Sequence, residues 1–367
     1  MSGRKNGKLG TLSSRLATGW WVWGLSWSVF TFCGAAMAQR PPTDRHVPEL
    51  ASYLDRVQIA EPIVYRHLAV YPVLLEDGPR LGGRWLTLDQ ALSRGVLVIR
   101  EKGSGSVPLV VVENRSPDQY VFIMHGEVIS GGKQTRTVRQ DVIVAPGQRI
   151  ELNVFCVEAR RWQGSSTFST GGVLLPQSIQ LELRAGANQG RVWDEVARNN
   201  AALRAENPSG SLEVALNSPA VRERLAEVRG AIEPKVPQGA MGFIFVSHGR
   251  ALGAELFGSQ QFARDLFPKL LDSYAVDYVL IAREGHFPWR PDNRAAIELF
   301  ERICRAGSHY SHTPGSGSGI RTRADRLLGD GVSLDRTLVH YGVQVEARVV
   351  PPPRPRPPII YPDQGGR

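Results

Sequence analysis

Cysteine is scarce in this chain, with three among 367 residues. Cys33 falls in the N-terminal leader, which leaves Cys156 and Cys304. Two thiols exclude a disulfide-dense secreted scaffold. They could pair in an oxidising compartment, but nothing in their spacing requires it. Cys-x-x-Cys and His-x-x-x-His spacings are both missing, so the sequence gives no reason to expect a metal. The Walker loop, dinucleotide fingerprint, Gly-x-Ser-x-Gly elbow and His-Glu-x-x-His helix are missing too, and no cofactor is implied. No internal repeat is apparent. Lysine is also rare. Beyond residue 38 there are only Lys102, Lys133, Lys235 and Lys269, and arginine supplies nearly all the remaining positive charge.

The formal charge of +9 overstates the basicity of the folded part. Residues 1–38 carry Arg4, Lys5, Lys8 and Arg15 with no acid, then an apolar, Trp-rich run from Trp20 to Phe32, then Ala36-Met37-Ala38. That is the order of a secretory signal with a small-x-small cleavage site. A retained anchor is the other reading. Gly24, Ser26 and Ser28 interrupt the run, which is short for a span of about 20 residues. Without the leader the charge is about +5, too mild to imply a nucleic-acid partner. The sequence therefore predicts a periplasmic or secreted protein. Residues 39–56 read as a linker, 57–348 as one domain, and 349–367 as a Pro/Arg-rich tail. The run Pro351–Pro358 cannot form helix or ladder. It reads as an extended spacer, with contact to the cell envelope as a further role.

The first half is β-patterned. Ile63 to Leu75 reads as a strand or bent pair interrupted at Pro72. Thr87 caps a short helix that stops at Gly95. Short strands follow at 96–100, 108–113 and 120–124, separated by turn residues. Val142 and Val144 alternate before Pro146-Gly147, and Ile150, Leu152 and Val154 after it, so the segment predicts a hairpin. In the second half, amphipathic helices are expected around Val192–Leu203, Val221–Val228, Phe262–Leu270 and 292–305. A hairpin is expected across Ser247-His248-Gly249-Arg250. The run Gly315–Gly319 predicts a flexible loop, followed by strands around Ile320 and over 339–345. The expected fold is α+β, with a β-sandwich-like or partly open barrel first half and a helix-rich second half packed on it.

Two polar clusters bracket the predicted hairpin. Gly131-Gly132-Lys133-Gln134-Thr135-Arg136 frees the backbone for positive φ and supplies donors suited to an anion or a sugar–phosphate. Lys133 stands out as a compact, titratable charge in a chain that otherwise uses arginine. Cys156-Val157-Glu158 with Arg161 and Trp162 forms the second cluster. Glu127 and Glu158 are candidates for divided acid and base roles, or for neutralising the nearby cations. Cys156 is a nucleophile only if a base or cation lowers its pKa, and is otherwise core. Trp162 either stacks on a ring or closes the sheet edge. A hairpin would bring the two clusters together. Arg321 and Arg323, after the glycine run, could clamp an anion. His248, His286 and His340 are more readily structural than catalytic.

Gly126-Glu127, Gly131-Gly132-Lys133-Gln134-x-Arg136 and Cys156-Val157-Glu158-x-x-Arg161-Trp162, in that order, resemble a known domain family. It is named for its association with ADP-ribosylglycohydrolases and rhodanese-phosphatases. Lys269-Leu270-Leu271-Asp272-Ser273-Tyr274 and Val339-His340 extend the likeness from about Val64 to Val345. The resemblance implies a link to ADP-ribose or nucleotide metabolism, by association alone. The chain departs from the family pattern at Gly132 in place of alanine, Thr135 in place of asparagine and Arg160 in place of glycine. The leading expectation is an exported binder of a small anionic, sugar-like or nucleotide-like ligand at Lys133, Gln134, Arg136, Arg161 and Trp162. The alternatives are a hydrolase with Glu127 or Glu158 as general base, and a non-enzymatic envelope protein.

Overall fold

The computed structural model describes residues 41–77, 81–106, 108–281 and 291–346. The expected signal segment, His286 and the Pro/Arg-rich tail lie outside the described residues. The fold is α+β and holds three β assemblies. The first is an antiparallel nine-stranded sheet in the order β1 (Val57–Ile59), β3 (Leu68–Leu75), β13 (Gly242–Ser247), β14 (Arg250–Phe257), β18 (Thr337–Val345), β17 (Leu327–Leu334), β16 (Ser318–Ala324), β15 (His309–Ser311), with β2 (Ile63–Tyr65) also on β3. The second is a closed barrel of β11 (Arg149–Cys156), β6 (Leu109–Asn114), β5 (Leu97–Ser106), β12 (Thr167–Leu174), β8 (Glu127–Gly131) and β9 (Arg136–Val138). The third is a three-stranded sheet of β10 (Val142–Val144), β7 (Gln119–Ile123) and β4 (Arg84–Thr87), with β4 parallel to β7.

Period-2 alternation sorts side chains between the cores. On β11, Ile150, Leu152, Val154 and Cys156 are buried, while Arg149, Glu151 and Asn153 face out. Together with Ile99, Val112, Ile129 and Val138 they fill the barrel. On the large sheet, Tyr71, Ile244 and Leu256 face α1 (Pro48–Leu54) and α8 (Arg294–Ala306). Val70, Phe243, Phe245 and Phe257 face the opposite way, toward a core completed by α3 (Gln177–Arg184), α4 (Gln189–Ala202), α5 (Leu212–Leu216), α6 (Pro219–Ile232) and α7 (Gln260–Ala275). The short α2 (Leu88–Ser93) starts at a capping box. Gln90 N donates to Thr87 Oγ1, and Thr87 N donates to Gln90 Oε1.

Several expectations need correction. The barrel closes rather than staying partly open, and the division into a β half and a helix-rich half holds only in part. The nine-stranded sheet takes three strands from the first half and six from the second. Residues 39–56 are not simply a linker, because Leu50, Tyr53 and Leu54 of α1 are fully buried against the large sheet. Tyr53 also donates to the Met241 carbonyl at 2.7 Å. The bend in 63–75 falls at Arg66, which has φ 53, and not at Pro72. Pro72 sits where β3 changes neighbour, between the Ile63↔Val70 and Ile59↔Val73 pairs, so its missing N–H interrupts no ladder.

The Pro146-Gly147 turn exists, but it does not make a hairpin. Val142–Val144 pair with Val121–Ile123, while β11 pairs with β6 and β9. The turn instead switches the chain between two sheets. The two ends of the segment still meet, because β9 pairs with β11 and places Arg136 opposite Cys156.

The glycine run is packed rather than flexible. Ser316 N donates to Ile143 O at 2.8 Å, and a Cβ on Gly315 would lie 2.1 Å from that same carbonyl. Gly317 has φ +84, and a Cβ there would lie 2.1 Å from Ser333 O. Gly317→Ala is therefore expected to cost about 1–3 kcal/mol from backbone strain alone, read as a lower urea midpoint at an unchanged m-value.

Candidate functional site at the barrel mouth

Three inward rows of the barrel bring a polar group to one mouth. β5 runs Leu97, Ile99, Glu101. β11 runs Leu152, Val154, Cys156. β9 brings Arg136 between Ile129 and Cys156. Arg136 has no exposed surface, and its partners decide how the mouth is held. Nη2 lies 3.4 Å from Glu101 Oε1, Nη1 donates to Gln134 Oε1 at 3.2 Å, and Nη1 also contacts Cys156 Sγ. Glu101 Oε1 accepts the Lys133 N–H at 2.8 Å. Arg136 Nε and Glu101 Oε2 are buried with no hydrogen-bond partner among the described residues.

Trp162 lies over this cluster. Lys133 Nζ is 5.2 Å and Arg136 Cζ 5.8 Å from its ring centroid, within cation–π range. The indole remains 46% exposed, so one aromatic surface faces solvent above a buried guanidinium.

Arg161 and Glu158 frame the mouth. Arg161 Nε donates to both Glu158 oxygens at 2.9 Å. Its two Nη atoms donate to Gly132 O at 2.9 Å, Gln163 O at 2.6 Å and Gly131 O at 3.2 Å. Glu158 Oε2 also accepts Thr135 N at 2.9 Å, and Gln134 Nε2 donates to Glu158 O at 2.8 Å. Burial alone would push the Glu158 carboxyl up. Arg161, Thr135 N and Ser209 outweigh it and hold the carboxyl below its usual range. Glu158 is thus an ionised strut between two loops, with its lone pairs committed.

For the Cys156 thiol, burial wins over the stabilising Arg136 charge and pushes its pKa up. The thiol stays protonated at neutral pH, which is the opposite of an activated nucleophile. Cys304 lies on the buried face of α8, in a different core, and no disulfide joins it to Cys156.

Glu127 does not join the mouth. It opens β8, four residues before Gly131, about 13 Å of strand away. It is fully buried, with Oε1 2.9 Å from Lys269 Nζ on α7 and Oε2 accepting Met124 N at 2.8 Å. Lys269 also contacts Asp89 on α2, whose carboxylate takes the Thr170 hydroxyl. Burial pushes the Glu127 carboxyl up against the pull of Lys269. Burial opposes the charge on Lys269, but the two carboxylates outweigh it and keep the amine protonated. Glu127 and Glu158 therefore hold separate cations at separate places and do not form an acid–base pair.

The remaining sequence candidates have structural partners. Arg321 and Arg323 both pair with Asp330, and His248 stacks on His67 at 4.3 Å. A surface cavity of about 350 Å³ lies away from the mouth, lined by Arg84, Trp85, Arg94, Gln119, Gln261 and Phe262 among others.

The three departures from the family pattern are accommodated locally. Gly132 has φ +55, and a Cβ there would lie 2.2 Å from Phe168 Cζ, so alanine is excluded as long as Phe168 fills the barrel end. Thr135 Oγ1 donates to Glu213 Oε2 at 3.2 Å. Arg160 is exposed and uses only its N–H, to Ser209 O at 3.0 Å.

A closed barrel with a charged, aromatic-capped mouth, joined to a helix-covered antiparallel sheet, sets the class of this domain. Residues 56–343 match the ARG and Rhodanese-Phosphatase-superfamily-associated Protein domain, and the chain belongs to that family. The match begins after α1, so the helix that covers one face of the large sheet precedes it. No curated protein and no solved structure matches the chain.

Proposed function

We propose that the barrel mouth binds a small anionic ligand carrying a planar or sugar ring, and that the chain does so outside the cytoplasm. One observation carries this reading: a half-exposed indole flanked by Lys133 and by the buried Arg136, whose Nε has no partner among the described residues. A ring can stack on Trp162 while an attached anionic group meets Lys133 and is attracted by the charge of Arg136 buried beneath the indole. Gln134 and Arg161 act on the ligand indirectly, by holding Glu158 and the glycine loop in place. Nucleotides, ADP-ribose and sugar phosphates share this chemistry. Export rests on the order of charge, apolar run and cleavage site in residues 1–38, and the Pro/Arg-rich tail is the part suited to envelope contact.

The test is a thermal-shift and calorimetric screen of residues 39–367 against those three ligand groups. A ligand at about 100 times its Kd stabilises by about 2.7 kcal/mol. Trp162→Ala is expected to weaken the best ligand about tenfold to a hundredfold, in line with about 1–3 kcal/mol per stacked ring. The fold should be little affected, because the ring is largely outside the core. A hit whose affinity is untouched by both Trp162→Ala and Lys133→Ala would place binding elsewhere. Mass spectrometry of the secreted fraction checks cleavage after Ala38.

A further inference from the structure

A second polar cluster lies between the large sheet and α3, away from the barrel mouth, and its contacts run in a line. His125 N donates to Asp141 Oδ1 at 2.8 Å. His340 Nδ1 meets Asp141 Oδ2 at 2.7 Å, and His340 Nε2 meets Glu255 Oε2 at 3.1 Å. Glu255 stands opposite Gly342 in the β14–β18 ladder. A Cβ on Gly342 would lie 2.2 Å from Glu255 Oε2 and 2.7 Å from Arg184 Nη2, so only glycine leaves room for both side chains.

Arg184 leads back toward His125. Gln180, one turn earlier on the same face of α3, packs 3.0 Å from the Cβ position of Gly126, the residue after His125. Of all charges, the Arg184 guanidinium acts most strongly on His125. The ring would close if Arg184 and His125 were bridged. Among the described residues no protein group reaches Arg184 Nε, Arg184 Nη1 or His125 Nε2, although the residues are only 6% and 2% exposed. Guanidinium N–H groups buried without acceptors are strongly disfavoured.

The chemistry of the missing partner is narrow. His125 Nδ1 lies 2.7 Å from the Arg139 carbonyl, which can only accept, so Nδ1 carries the hydrogen. Burial, then Arg184, lowers the His125 pKa to about 4, so Nε2 presents a lone pair. The partner must accept from Arg184 and donate to His125. A metal cation cannot accept, and a fully ionised anion cannot donate. Charge points the same way: Arg184 and the His340 imidazolium already balance Asp141 and Glu255.

We propose that His125 and Arg184 form a built site for one neutral hydroxylic oxygen, either a water molecule or the hydroxyl of a ligand. Crystals of the full chain test this, grown without polyol and then soaked in glycerol. The expected result is one oxygen peak within hydrogen-bond distance of both His125 Nε2 and Arg184. Retention of that peak unchanged after the soak assigns it to water. Replacement by glycerol density assigns the site to ligand hydroxyls. No peak in either crystal, with Arg184 bonded directly to Glu255 or another protein acceptor, would overturn the proposal. In Arg184→Met the peak should be lost while the His125 Nδ1–H tautomer persists in ¹⁵N spectra. Retention of the peak at full occupancy in that variant also counts against the site. If Arg184→Met does not fold, the wild-type crystals decide alone.

Discussion

Lys269→Met is expected to destabilise the fold by about 3–5 kcal/mol, the range for breaking one side of a buried ion pair. Methionine keeps most of the packing, so the loss reports charge rather than volume. Without the ammonium, Glu127 keeps only the Met124 N–H on Oε2, and Oε1 faces a core with no exposed surface. Its carboxyl, already pushed up by burial, would then be driven toward the neutral form. Asp89 is affected less, because its side chain is 33% exposed and water can replace the lysine. The distinguishing measurement is a double-mutant cycle by urea unfolding. Glu127→Gln in the Lys269→Met background should recover most of the loss, since a neutral amide no longer needs a counter-charge. If the two losses simply add, the pair is not the cause, and α7 would have been disturbed by the methionine itself.

That residue also shows what the sequence could and could not disclose. The scarcity of lysine marked Lys133 and Lys269 equally, and the motif around Lys133 drew attention to the wrong one of the two for buried charge. Helical period placed Leu266 and Leu270 in the core. It could not place Lys269, because its partners Glu127 and Asp89 come from elements 142 and 180 residues earlier.

Local signals were legible wherever the structure is local. The capping box at Thr87, the hairpin across Ser247–Arg250 and the amphipathic helices all follow from neighbours in the chain. Strand pairing was not legible, because alternation says which face is buried and not which strand lies alongside. Val142–Val144 and Ile150–Val154 have the pattern of a hairpin, yet each finds another partner. The barrel-mouth cluster was legible for a different reason from the one first given. Arg136 meets Cys156 through β9 and β11 rather than through a shared turn. Glu101, Asp141 and Glu255 carried no motif at all. Glu101 ends an apolar alternation, Asp141 precedes the buried run Val142–Val144 and Glu255 lies inside β14, and only tertiary pairing with a cation distinguishes each from a solvated charge.

His340 makes the second large effect, and its sign can be worked out. Burial alone would lower its pKa. Asp141 and then Glu255, by charge and hydrogen bond, outweigh burial and lift it to about 9, against an ordinary 6.5. A group raised on folding stabilises the folded state fully below its unfolded pKa, and that stability is lost as pH rises through the folded value. The loss therefore falls between about pH 6.5 and 9, with a slope approaching −1.4 kcal/mol per pH unit in the middle of the window, one proton released on unfolding.

Other groups decide where to read it. Burial raises the Asp272 and Asp277 carboxyls to about 6, so the folded state holds their protons below that pH. Neutral His125 acts there in the opposite sense, because the unfolded chain takes up its proton first. The acid side thus mixes opposing terms. Above pH 9 the raised Cys156 thiol adds a loss of the same sign as His340, which Cys156→Ser removes. The clean interval is pH 7 to 8.5. Urea midpoints across it should fall steadily in both wild type and Cys156→Ser, and the ¹⁵N spectrum of His340 should remain that of an imidazolium at pH 8. A flat profile, with His340 titrating near 6.5, would mean that Asp141 and Glu255 do not hold the proton, and that the line from His125 to Glu255 is a set of neutral hydrogen bonds rather than an ionic one.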